Sequence, residues 1–132
     1  MGKRSTARRL AMQALYQAEI TGTDIQEAIN NISESEQFIP ETLSFAEALA
    51  KAAWEDREDT DKIIEKLAVD WSLDRIGKVD RSILRLAIQE LKTGETPTSV
   101  VINEAVELAK KYSGDESAKF INGILGAYVR KS

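Results

Sequence analysis

Cysteine and histidine are both absent from the 132 residues. That excludes disulfides, thiol-ligated zinc, iron–sulfur clusters, a thiol nucleophile and any histidine-based triad or general base. The lack of cysteine agrees with a reducing compartment. With two prolines and seven glycines, few positions interrupt regular structure. No apolar run approaches the roughly 20 residues that a membrane-spanning helix needs. The basic start Met1–Arg4 is not followed by an apolar signal core. A soluble, cytoplasmic protein that contacts no membrane is the expectation. Gly-rich phosphate loops, dinucleotide fingerprints and nucleophile elbows are missing as well, so neither cofactor nor metal nor catalysis is expected. Carboxylates crowd the stretch Glu55–Asp61, and Glu104 and Glu107 sit three apart, but acidic helix faces in water are far commoner than catalytic dyads.

What is present is helical periodicity at a length close to that of one domain. Ser5 or Thr6 can cap a first helix with the apolar stripe Ala7, Ala11, Ala14, Leu15 and Ala18, ended by Gly22. Asp24 and Glu27 form a capping-box pattern ahead of Ile25, Ala28, Ile29 and Ile32. Glu34–Glu41, with Pro40, is the clearest loop, and a third helix carries Leu43 to Trp54. Asp59 and Thr60 offer the next cap, for a helix with Ile63, Ile64, Leu67, Ala68 and Trp71. A short turn at Leu73 and Ile76 precedes a helix from Asp80 to Leu91, ended by Gly94. Pro97 opens another, carrying Val101 to Tyr112, and the last holds Phe120, Ile121, Ile124, Leu125 and Tyr128. The result is an all-α fold, a helical bundle of about seven helices. Gly123 interrupts the last stripe at a cost of about 1 kcal/mol relative to alanine. Close approach of another helix, or of a ligand backbone, is the expected compensation, with helix packing the favoured reason.

Charge is distributed unevenly. The net charge is −4, yet residues 1–18 hold Lys3, Arg4, Arg8 and Arg9 and no acid. Residues 19–61 hold twelve acids against Lys51 and Arg57. A local basic cluster decides where a polyanion can sit, whatever the sign of the whole chain. Cations at a helix N-terminus also oppose the helix dipole, so their presence favours a ligand role. On a helical wheel Arg9, Met12 and Tyr16 share one strip beside and outside the apolar stripe, with Arg8 adjacent; arginine neutralises phosphate and a tyrosine ring stacks on a base or fills a partner's pocket. A second candidate lies in the last helix, where Lys119 supplies charge, Phe120 a stacking face and Asn122 a base-edge hydrogen bond. Phe120 fits the core stripe equally well.

Arg8–Gln17, Val79–Leu91, Pro97–Tyr112 and Lys119–Leu125 closely resemble the NusB family of transcription antitermination factors, in the right order along essentially the whole chain. Residues 22–60 match in helical character more than in identity. The resemblance implies two packed helical subdomains within the single domain 1–132, about 1–58 and about 59–132. It implies binding of the boxA element of nascent ribosomal RNA transcripts together with NusE, a small-subunit ribosomal protein. That pair seeds an antitermination complex with other Nus factors on RNA polymerase. Residue by residue it places Lys3, Arg4, Arg8 and Arg9 on RNA with Lys119, Phe120 and Asn122 beside them, the cations and the aromatic ring forming one surface, and Tyr16 and Asp80 toward NusE. Glu116 stands where the best-known relatives carry an aspartate near the RNA. A monomer or a homodimer is the expected free state. The alternative is a protein-only helical adaptor, or a self-associating module that hides its basic face.

Overall fold

The computed structural model describes residues 2–69 and 72–131. Among them are seven α-helices and one 3-10 turn, and no strand. Helices α1 (Lys3–Thr21), α2 (Ile25–Ser35) and α3 (Pro40–Glu55) pack on one another. Helices α4 (Arg57–Leu67), α5 (Lys78–Thr93), α6 (Thr98–Tyr112) and α7 (Asp115–Lys131) form a second group. Helix α5 joins the two, packing on α1 and α3 as well as on its own neighbours. Its sequence shows why: every residue from Ser82 to Glu90 is buried, so it is a central rod rather than a surface helix.

The buried apolar side chains of both groups form one continuous cluster. Leu10, Leu15, Ile29, Ile83, Leu84, Ile88, Ile121 and Leu125 are its largest fully buried members apart from Ile64, each contributing about 1.5–3 kcal/mol through removal from water. None of the described helices is long and apolar enough to cross a membrane.

Helix ends differ from expectation in instructive ways. Helix α1 starts at Lys3 with Gly2 as its N-cap, three residues before Ser5, the nearer expected hydroxyl cap; Ser5 lies inside the helix and donates its hydroxyl to Glu104 on α6. Asp24 does cap α2, accepting from the Gln26 amide at 3.1 Å. Helix α4 starts at Arg57, which puts Asp59 and Thr60 inside it, with Thr60 fully buried. It ends at Leu67, and Trp71, expected on its apolar stripe, lies outside the described residues. Pro97 is the N-cap of α6 rather than its first residue. Gly22 and Gly94 close α1 and α5 with φ of 72° and 68°, where glycine carries no Cβ penalty. Gly123 corrects the packing expectation: it is exposed, and a Cβ there would meet nothing within 4 Å.

Candidate nucleic-acid interface

The first turns of α1 carry the basic cluster, and the fold gives its members different environments. Arg8 is buried between α5 and α6. Its Nε donates to Glu90 Oε1 at 2.8 Å and its Nη2 to Glu90 Oε2 at 2.5 Å, a two-pronged contact that matches the guanidinium fork. Its Nη1 donates to Glu104 Oε1 at 3.1 Å. Hydrogen bonding to Glu90 holds the Arg8 guanidinium above its ordinary value; burial opposes this, and the charges of Glu90 and Glu104 reinforce it. The charge of Arg8 is therefore used inside the molecule, to tie α1 to α5 and α6. Lys3 and Arg4 are exposed and Arg9 is partly so. Arg4 stacks on the Phe45 ring of α3 at 3.8 Å, a cation–π contact that fixes the plane of the guanidinium.

Arg9, Met12 and Tyr16 do not share an outer strip, because Met12 is 2% exposed and belongs to the core. Tyr16 remains outside at 38% exposure, with Ile20 one turn further on. Glu19, between them, accepts from Arg85 Nη1 on α5 at 2.7 Å. That hydrogen bond lowers the Glu19 carboxyl below its ordinary value against the opposing effect of desolvation. Arg85 also grips Asp61 of α4 through Nε and Nη2.

Two depressions flank the corner between α6 and α7. One, of about 570 Å³, is lined by Ser5, Thr6, Arg8 and Arg9 of α1 and by Glu104, Lys111 and Tyr112 of α6, among others. The Lys111 ammonium lies 5.5 Å from the centroid of the Tyr112 ring. The other, of about 240 Å³, is lined by Arg75, Ile76 and Gly77 ahead of α5, by Asp80, and by Glu116, Ser117 and Phe120 of α7. The structure thus brings Arg8 and Arg9 together with Lys111 and Tyr112, and brings Phe120 together with Asp80 and Glu116. The two depressions share no lining residue, so the arm cations and the Phe120 ring do not line one common cleft as expected. Lys119 and Asn122 are exposed on α7 and line neither.

Asp80 is 8% exposed, and its Oδ1 has no hydrogen-bond partner within the protein. An unpartnered carboxylate oxygen in the first turn of a helix is well placed to accept from a donor that enters the depression. Lys111 and Tyr112 escape the reading of sequence because Tyr112 fits the apolar stripe of α6. The available signal was a lysine pair next to an aromatic at a helix C-terminus, which also suits the dipole and so points to no ligand by itself. Among the described residues no group of three or more acidic side chains is arranged to hold a metal ion.

A family model described as the NusB family matches residues 5–130. The transcription antitermination protein NusB of Acetivibrio thermocellus is 45% identical over 131 residues, covering 98% of this chain and 90% of its own. That of Bacillus subtilis is 43% identical over 124 residues, covering 93% of this chain and 92% of its own. A crystal structure of the antitermination factors NusB and NusE in complex with double-stranded RNA contains a chain that superposes with a TM-score of 0.92 at 31% identity, over 98% of both chains.

Proposed function

The chain belongs to the NusB family, and from that premise we propose that it is a cytoplasmic transcription antitermination factor that captures boxA RNA jointly with NusE. The pair then seeds an antitermination complex with other Nus factors on RNA polymerase. It works by binding, not by catalysis. The observation that carries this reading is the depression in which Arg9 of α1 faces Lys111 and Tyr112 of α6, with Glu104 and Glu107 also in its wall. Positive side chains around an aromatic ring are what unpaired nucleotides need, since phosphates take the charge and bases the π-face.

In this reading Lys3, Arg4, Arg9 and Lys119 hold phosphates without sequence preference, and Phe120 and Asn122 select bases beside the second depression. Arg8 keeps the arm in place rather than meeting a phosphate. Tyr16, exposed on α1, and Asp80, at the start of α5, face NusE. Few phosphate contacts give modest affinity for RNA alone, and a partner that adds its own surface raises occupancy through linked binding.

One observation favours the protein-only adaptor: arm cations already have acidic partners, Lys3 with Glu41 and Arg9 with Glu36. A mobility-shift titration separates the two readings, using boxA and scrambled RNA with and without NusE. A NusE-enhanced complex that prefers boxA is the expected result; no shift under any of these conditions leaves the adaptor.

A further inference from the structure

The cations of the α1 start have two kinds of acidic partner. Glu90, the chief partner of Arg8, is permanent, because the Arg8 and Glu90 side chains are both about 5% exposed and separating them would strand a buried charge. The partners of Lys3 and Arg9 are exchangeable. Lys3 Nζ lies 3.4 Å from Glu41 Oε2, with both side chains mostly in water. Arg9 donates Nη1 to Glu36 Oε1 at 3.2 Å and Nη2 to Glu36 Oε2 at 2.5 Å. Both acids come from one stretch: Glu36 directly follows α2, and Glu41 sits in the first turn of α3. The same stretch supplies Phe38, whose ring centroid is 5.7 Å from the Arg9 guanidinium.

A carboxylate that accepts from both prongs of an arginine occupies the geometry that a phosphate would take. We propose that Glu36 and Glu41 set the RNA affinity of this protein by acting as built-in phosphate mimics, which RNA must displace from Arg9 and Lys3. The inference rests on the RNA-binding reading above and deepens it. Displacement subtracts the same free energy from every RNA. Sequences held by charge alone are the first to lose measurable binding, while one that also engages bases and the partner protein survives.

The test is the affinity of the complex with NusE for boxA and for scrambled RNA, with the parent, with Glu36→Gln/Glu41→Gln and with Glu65→Gln. Glu65 is exposed on α4 and takes no part in the ion pairs of the arm or the depression it lines, so its variant is a charge control. Exposed ion pairs are each worth a factor of about 1.4 to 5. The double variant is therefore expected to bind both RNAs about 2- to 25-fold more tightly at low salt, with the gain shrinking as salt screens the repulsion. Glu65→Gln is expected to leave affinity nearly unchanged. Equal or weaker binding by the double variant overturns the proposal, as does an equal gain in Glu65→Gln. The single variants Glu36→Gln and Glu41→Gln guard against misfolding of the double, and tightening by neither overturns it too. A parent complex that binds neither RNA overturns the RNA reading itself, and this inference with it.

Discussion

Arg8 leaves about 5% of its side chain exposed, whereas the next residue, Arg9, leaves 20% and meets its acid at the surface. Removing them should separate stability from binding. Arg8→Ala strands Glu90 in the interior, and urea unfolding is expected to show a loss of about 3–5 kcal/mol. Replacing the pair by apolar residues, Arg8→Met with Glu90→Leu, should recover most of that loss, because an uncompensated charge costs more than an absent ion pair. Arg9→Ala is expected to change stability by no more than about 1 kcal/mol and to weaken RNA binding instead. A stable Arg8→Ala protein would contradict the structural role given to that residue. None of this division is legible in sequence. The carboxylates that distinguish the two arginines lie at Glu90, Glu104 and Glu36, and a pairing between distant charges leaves no periodic trace. The same blindness made Met12 look like part of an outer strip, since one wheel position decides between core and surface.

Among the elements, the helices themselves were readable because apolar stripes of period 3.6 mark seven of them, and Gly22 and Gly94 mark two ends through their left-handed φ. Helix starts were less readable. A hydroxyl or carboxylate near the beginning of a stripe suggests a cap, yet α1 begins before Ser5 and α4 before Asp59, and neither start has a side-chain cap. In α7 the glycine at 123 signalled a close approach that the fold does not contain. Gly123→Ala should therefore stabilise the protein by about 1 kcal/mol through helix propensity alone, measured as a rise in thermal midpoint. If RNA passes over this exposed position next to Asn122, the same variant will lose RNA affinity while gaining stability. A destabilised variant would mean that the glycine is needed for the fold.

For the molecule as a whole, two buried arginines act as cross-ties: Arg8 joins α1 to α5 and α6, and Arg85 joins α5 to α1 and α4. The second gives the fold a pH dependence. Glu19 titrates below its ordinary value of 4.5, chiefly because Arg85 hydrogen-bonds its carboxylate. A lowered folded-state value means that the contribution is complete above 4.5 and is lost as the pH falls through the lowered value. Glu19→Gln should thus be less stable than the parent near neutral pH, and the difference should narrow progressively below pH 4.5 in urea unfolding. A difference that stays constant with pH would assign the effect to something other than ionisation. The basic cluster near the amino end and the aromatic of α7 could both be singled out in sequence, but their separation into two depressions could not. That separation depends on where α6 turns into α7, a property of packing rather than of any residue type.

Capture of RNA by the α1 arm is tested most directly by the salt dependence of boxA affinity in the presence of NusE, for the parent and for Lys3→Ala/Arg4→Ala/Arg9→Ala. Each phosphate contact with a single strand contributes about −0.7 to the slope of log affinity against log salt. The triple variant should bind more weakly and have a slope shallower by up to about 2. Identical slopes, or a parent with no slope at all, would show that these side chains do not hold the RNA backbone.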